Sequence, residues 1–366
     1  MSKLKVVQLL PELNIGGVER GTKDFSEALV QRGHQSIVIS NGGLFEQEII
    51  NAGGIHLKLP IHKKNPFSLL QAKELVKVYK EYEPDIVHVR SRMPAWINYY
   101  AFKKLDKKPI LVSTFHGLYS TPMYSKVMAK VDHTIAISKT VRDYIKNTYS
   151  VEDKNITIIP RGCDPLLFNK IKPDINWLNK WYEEFPQTKN KTILTLPTRI
   201  SQWKGVDSFI DLIANINNDA FHALVVGPAS KKKEKYLNDL QSKIKDKGLG
   251  SLITFTGSRN DISNIYKISD IVYNLSIKPE PFGRTTIEAI ASGSKVMGWN
   301  HGGTKEILEE LYPDGLVELN DIAQLKQQTL IISKENYAKP KENIFLSSKL
   351  IDSTIQLYQD LLKASS

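Results

Sequence analysis

A single cysteine, Cys163, stands among 366 residues. An internal disulfide and a cysteine-built zinc site are thereby excluded, and a reducing compartment is compatible. A buried structural thiol is the expected role. No stretch approaches ~18 consecutive apolar residues, so nothing is expected to span a bilayer. The start of the chain carries Lys3 and Lys5, but its apolar stretch is cut by Gln8 and Pro11, too short for a signal peptide. No internal repeat and no low-complexity tract occurs. RRM, KH and helix-turn-helix signatures are absent, which argues against a nucleic-acid-binding module. No metal-ligand cluster is visible either, so neither a resident metal nor a cofactor is expected.

What is present is ordinary for a globular protein: 41% hydrophobic and 24% charged residues, enough chain for two separate cores. The charge is unevenly placed. Residues 1–170 hold 25 Lys and Arg against 16 Asp and Glu, a balance of +9, and the remainder 25 against 23, a balance of +2. A basic half-molecule suits nucleic acid, anionic lipid or a phosphorylated partner, unless the lysines are only a solvated surface.

Both halves alternate strand and helix. KVVQLL (5–10), SIVIS (36–40), IHLKL (55–59), DIVHV (85–89), PILVSTF (109–115), HTIAIS (133–138) and ITIIP (156–160) read as strands. Helical stretches fall between them near 19–31, 68–82, 94–105 and 139–147. The second half repeats the plan, with strands TILTLP (192–197), HALVVG (222–227), LITFTG (252–257), DIVYNLS (270–276) and KVMGW (295–299). Its helices are expected near 206–216, 231–247, 262–268, 284–292, 304–310 and 321–333. Such alternation predicts two α/β units with parallel sheets covered on both faces. The segment 169–190, with Trp177 and Trp181, reads as a connector with a short helix, and the KKKEK run (231–235) as a solvated helix start. A last amphipathic helix is expected near 346–363.

The stretch 276–308 organises the rest. Pro279 and Pro281 make a tight loop after the DIVYNLS strand, and Gly283 is a permissive position before a helix beginning near Arg284. Gly293 suits the stop of that helix. A helix N-terminus favours phosphate through unpaired N–H groups and its dipole, and Arg284, Thr285 and Thr286 occupy that first turn. Glu280 and Glu288 add acceptor-only groups suited to paired sugar hydroxyls. On the two glutamates alone, an Arg284–Glu288 pair at i, i+4 with Glu280 merely solvated is the preferred reading. Arg199 and Lys204, after the first strand of this half, make a natural diphosphate clamp or a merely solvated basic loop. In the first half Gly16–Gly17 form a strand-to-helix turn, Arg90 and Arg92 follow the strand DIVHV, and His116 ends PILVSTF.

Glu280-Pro281-Phe282-Gly283, Glu288-Ala289, Gly293 and His301-Gly302-Gly303 with Glu306 resemble the donor-binding signature of the family 4 retaining glycosyltransferases of GT-B fold. The resemblance runs over nearly the whole chain. It extends to Gly16–Gly17, the TFHG string with His116, Arg199…Lys204-Gly205, and the NITIIPRGCDPLLF string (155–168). Arg161 and Cys163 replace an asparagine and an aliphatic residue often found there. Some bacterial members thought to build lipopolysaccharide core also carry that arginine and share the HVRSR-x-PAW string.

The resemblance implies two Rossmann-like domains facing across a cleft. The first is expected at 1–168, with the helix near 346–366 returning to it, and the second at 169–345. It implies sugar transfer from a nucleotide diphosphate donor with retained configuration and without metal. Arg199, Lys204 and residues 284–286 would stabilise the departing diphosphate, Glu280 would hold the sugar and Glu288 the ribose. His116 would sit near the reacting carbon, Gly16 and Gly17 by the diphosphate and acceptor, and Phe282 and Gly283 in the donor loop. Arg90 and Arg92 are expected on the acceptor side. GSRNDI (257–262) lies where the family holds the nucleobase.

A lipopolysaccharide core or other membrane glycolipid is the expected acceptor, met by a cytoplasmic enzyme on the inner membrane face. Lys63, Lys64, Lys103, Lys104, Lys107 and Lys108 supply the charge for that surface. The stretch 118–130 would lie in the interface through Tyr119, Met123, Tyr124 and Met128, with Lys126 and Lys130 toward lipid phosphates, unless its aromatics are core. A nucleotide-sugar epimerase and a non-enzymatic nucleic-acid binder remain as alternatives.

Overall fold

A computed structural model describes residues 3–14, 16–230 and 233–365. Lys231 and Lys232, the start of the KKKEK run, lie outside the described residues. The chain divides into two compact units, Met1–Pro160 with Ser348–Ser366, and Arg161–Ser347.

The first unit is built on a seven-stranded sheet. Its strands are β1 (Lys5–Leu9), β2 (Gln35–Ser40), β3 (Ile55–Lys58), β4 (Ile86–Val89), β5 (Ile110–Phe115), β6 (His133–Ala136) and β7 (Ile156–Ile158). They lie in the order β3-β2-β1-β4-β5-β6-β7, all parallel. Val6 of β1 registers with Ser36 on one side and Ile86 on the other. The central strands, such as β1 and β4, are buried apolar runs, as expected where helices cover both faces of a parallel sheet. The Gly17–Gln31 helix does so through Phe25, Ala28 and Leu29, spaced at three and four residues.

The closing helix, Ser347–Ser365, completes this unit. Ile355 and Tyr358 join a core with Leu4, Val6, Phe25, Leu29 and Ile86. Tyr358 is fully buried; its hydroxyl lies 2.6 Å from His88 Nδ1, and His88 Nε2 lies 2.7 Å from Thr114 Oγ1. A buried imidazole thus has both nitrogens satisfied, which removes most of the penalty of placing it there.

The second unit holds a six-stranded parallel sheet in the order β10-β9-β8-β11-β12-β13. The strands are β8 (Thr192–Pro197), β9 (Phe221–Val226), β10 (Ile253–Gly257), β11 (Ile271–Asn274), β12 (Lys295–Trp299) and β13 (Leu316–Val317). The tryptophan-bearing stretch read as a connector is core here. In the Ile175–Glu184 helix, Trp181 stacks on Trp177 at 5.3 Å and packs with Phe185, Leu224 and Ile265. Arg259 bridges Glu184 at 2.8 Å and Asp261 at 2.8 Å, pinning that helix to the start of the Ile262–Ile268 helix. Residues 161–168 count with this unit: the Cys163 N–H donates to Phe345 O at 3.0 Å, and the Phe168 ring lies 6.2 Å from Tyr266. Among the described residues no helix is long and apolar enough to cross a membrane.

Candidate functional site

The carboxyl ends of β8 and β11 lie side by side in the second sheet, and the loops leaving them converge. After β8 the chain passes Arg199 and closes a short turn at Gly205, whose φ is +77°. A Cβ at Gly205 would collide with the Leu275 carbonyl, so only glycine permits this approach. The Ile277 N–H donates to Trp203 O at 2.8 Å and fixes the two loops together.

That join sets the central side chains. Lys204 Nζ forms an ion pair with Glu280 Oε1 and sits 4.2 Å above the Trp203 ring. The Ser276 hydroxyl donates to the same Oε1 at 2.6 Å. His301 Nε2 approaches Ser276 O at 2.7 Å, and the Gly303 N–H donates to Glu280 O at 2.7 Å. Gly302 (φ +60°) and Gly303 lie so close to the 279–282 backbone that side chains there would overlap it. The glycine pair therefore lets the Gly302–Leu311 helix seat the loop that carries Glu280.

A cavity of about 200 Å³ opens over these groups, with Thr198, Arg199, Lys204, Ser276, Glu280 and Thr285 in its wall. Arg199 is exposed, whereas Lys204 and Glu280 are only 17% and 14% exposed. The chemistry of the wall is anion-binding cations beside a carboxylate whose two protein donors share one oxygen, Oε1. Among the described residues no group of three or more His, Cys, Asp or Glu is placed to hold a metal ion.

The Arg284–Ala291 helix starts at this cavity from Gly283, held at φ +99°. Thr285 faces the cavity and Thr286 is buried beneath it. Arg284 turns down its own helix and donates to Glu288 Oε1 at 2.8 Å. Glu288 is 8% exposed, close enough to Cys163 that burial first and this charge second push the thiol up to about 11. Cys163 Sγ accepts from Asn343 Nδ2 at 3.0 Å. Phe282 turns its ring inward, edge-on to Phe345 at 5.6 Å, so its side chain serves the core.

The first unit gathers its own candidates at the carboxyl ends of β1, β4 and β5, which are neighbours in the sheet. Gly16 caps the Gly17–Gln31 helix in extended backbone that any residue adopts; a Cβ there would meet only the flexible Glu19 carboxylate. His116 follows β5 directly and is half-buried. Arg90 does not project from its strand end: it is buried, donates to Gln8 Oε1 at 2.9 Å and lies 5.5 Å from the Phe25 ring. Burial pulls its pKa below the usual arginine range. Arg92 heads the Arg92–Phe102 helix, donates to Thr121 Oγ1 at 2.9 Å and covers the rings of Tyr119 and Tyr124 at 4.9 and 5.3 Å.

The 118–130 stretch offers no continuous apolar face. Val127 and Met128 are buried, Tyr119 and Tyr124 lie under Arg92, and Met123 alone of its large apolar side chains is widely exposed, at 84%. It forms two four-residue turns, Pro122–Ser125 and Lys126–Ala129, too short for an amphipathic helix. Ser276 escaped the sequence reading. Its signal was its position at the end of the β11 run, four residues before Glu280.

The model of Glycosyltransferase Family 4 matches residues 15–165, and that of Glycosyl transferases group 1 matches residues 179–345. A solved glycosyltransferase from Rickettsia africae ESF-5 is 30% identical, with a TM-score of 0.85 over 99% of this chain and 100% of that one. The N-acetyl-alpha-D-glucosaminyl L-malate synthase of Bacillus anthracis is 22% identical over 99% of this chain and 98% of its own. The UDP-Gal:alpha-D-GlcNAc-diphosphoundecaprenol alpha-1,3-galactosyltransferase of Escherichia coli is 26% identical over 99% and 98%. Two parallel-sheet units, the glycine-seated Glu280 loop and these full-length likenesses agree, and the chain belongs to the family 4 glycosyltransferases of GT-B fold.

Proposed function

We propose that this glycosyltransferase moves a sugar from a nucleotide diphosphate-sugar donor, with retention and without a metal ion, to a lipid-linked acceptor. The observation that carries the reading is the Arg199–Lys204–Glu280 wall at the start of the Arg284–Ala291 helix. As the anomeric carbon becomes cation-like, negative charge gathers on the departing diphosphate. Arg199, Lys204 and the N–H groups of residues 284–286 are fixed positive groups suited to that charge, and need no reorganisation as it develops. Lys204 and Ser276 occupy Glu280 Oε1, which leaves Oε2 for hydroxyls of the transferred sugar. Glu288 takes the ribose, with Arg284 releasing part of its hold. Gly16, Gly17 and His116 keep the roles the family resemblance gives them, and Arg92 stays on the acceptor side. The leaving phosphate takes the acceptor's proton on the same face, so no protein carboxylate acts as base.

The E. coli relative's name supports a UDP-sugar donor and an acceptor sugar carried on a lipid diphosphate; a place on the inner face of the cytoplasmic membrane is part of the same proposal. The B. anthracis relative, named for L-malate, supports a small soluble acceptor as the second reading. Nucleoside diphosphate release from a donor panel separates the two. Release stimulated by a membrane-lipid extract and unchanged by EDTA supports the first. Release stimulated only by small hydroxy acids or sugars supports the second.

A further inference from the structure

Beyond Asn274 the chain leaves the second sheet, and two aromatic ring donors continue what the ladder began. β11 pairs with β12 as far as Asn274 against Gly298. The next two carbonyls, of Leu275 and Ser276, meet side chains that project from the end of β12. The buried Trp299 indole donates from Nε1 to Leu275 O at 2.9 Å. His301, two residues on, places Nε2 2.7 Å from Ser276 O. A carbonyl oxygen only accepts, so this nitrogen carries the imidazole proton. From the other flank the Ile277 N–H donates to Trp203 O at 2.8 Å, and the Leu275 carbonyl fills the space where a Cβ on Gly205 would stand. Residues 275–277 are thus gripped from both sides just before the loop that carries Glu280.

We propose that His301 is a positioning residue for sugar transfer, acting through Ser276 to aim the Glu280 carboxylate. The proposal rests on the donor reading argued above and names the side chain that sets its carboxylate. Lys204 ends in an ammonium, a point charge that locates Glu280 Oε1 but leaves the carboxylate free to turn about that contact. The Ser276 hydroxyl, 2.6 Å from the same oxygen, supplies the second direction that fixes the carboxylate plane. The aim of that hydroxyl follows the Ser276 backbone, and His301 holds the Ser276 carbonyl. His301 also stands at the N-cap of the Gly302–Leu311 helix, whose Gly303 N–H donates to Glu280 O at 2.7 Å. Ser276 is buried, so removing the imidazole N–H leaves its carbonyl unpaired, a cost the backbone relieves by turning. The hydroxyl then leaves Oε1, and Oε2 loses its aim at the sugar.

A double-mutant cycle in kcat, read beside calorimetry with the free nucleoside diphosphate, tests it. His301→Ala and Ser276→Ala should each lower kcat roughly ten- to a hundredfold, because a misplacement of about 1 Å at a reacting centre costs up to about 10²-fold. Affinity for the nucleoside diphosphate should stay at the wild-type value, since its own contacts are untouched. The double variant should lose no more than Ser276→Ala alone, because both changes act on one carboxylate. His301→Gln, whose amide N–H reaches about as far as Nε2, should recover most of kcat, and the shorter His301→Asn should not. Three results would overturn the proposal: near-wild-type kcat in His301→Ala, losses that multiply in the double variant, or falls in diphosphate affinity and melting temperature that track the fall in kcat. Any of these beside normal wild-type transfer would retire the positioning role alone. A wild-type enzyme that turns over no donor would retire the transfer reading, and this role with it.

Discussion

Lys204 and Glu280 close an ion pair at the carboxyl edge of the second sheet, and Ser276 donates to the carboxylate oxygen that Lys204 already holds. The arrangement orients both charges before any ligand arrives. Glu280 cannot swing away without abandoning a half-buried ammonium, and Lys204 is steadied by the Trp203 ring. In the proposed reaction Lys204 would meet the diphosphate while still holding Glu280 Oε1, so that Oε2 is already aimed at the sugar.

The cations should therefore matter most to turnover. Arg199→Ala and Lys204→Ala are each expected to lower kcat by about 10²–10³, the scale for deleting one preorganised charge-stabilising group. The motive is their place in the cavity wall. Near-normal kcat in both variants would remove the diphosphate role from this cavity.

Glu280 and Glu288 should separate. Glu280→Gln is expected to depress transfer while the free nucleoside diphosphate still binds, because Lys204 is released rather than lost. Glu288→Gln should weaken the nucleotide itself, since a charged acceptor for ribose hydroxyls disappears. Calorimetry with the diphosphate alone distinguishes them, and equal affinity losses would mean the roles are misassigned.

The first unit depends on its closing helix. Tyr358→Phe keeps the ring against Phe25 but strips the hydroxyl from buried His88. An unsatisfied buried group costs about 1–3 kcal/mol, so the urea midpoint of the variant should fall. An unchanged midpoint would show that His88 finds another partner.

Acid should weaken the second unit through His222. Burial pulls its pKa down to about 4, and its Nε2 lies 2.9 Å from Thr254 Oγ1. Above the unfolded value near 6.5 both states are neutral and nothing is lost. Between about 6.5 and 4 the unfolded chain takes a proton that the folded one refuses, so stability falls with pH, by up to about 3 kcal/mol. His222→Gln should shrink the stability difference between pH 7 and pH 5. An undiminished difference would place the acid sensitivity elsewhere.

Much of this was legible in the sequence. Each central strand is an apolar run with no solvent face, and each intervening helix has a buried stripe, so period and length alone reveal the sheets. The helix Glu46–Asn51 and the two-residue β13 were missed because they are too short to show a period. The 175–185 segment looked polar because Trp177 and Trp181 are surrounded by charged and amide residues; only the fold turns both rings onto one core. In the candidate site the glycines and cations stand out by spacing. That Arg90 and Phe282 point inward does not, since a strand-end arginine and a loop phenylalanine read alike on either face. Ser276 was hidden because a serine closing a strand has no pattern until Glu280 folds back on it.

The most direct test is the fate of the donor. A panel of nucleotide diphosphate-sugars, incubated with the enzyme and a membrane-lipid extract, is followed by nucleoside diphosphate release and by the anomeric configuration of the product in NMR. The account predicts acceptor-dependent release with one donor, an α-linked product from an α-linked donor, and no effect of EDTA. An inverted linkage, or donor isomerised without any acceptor, would contradict it.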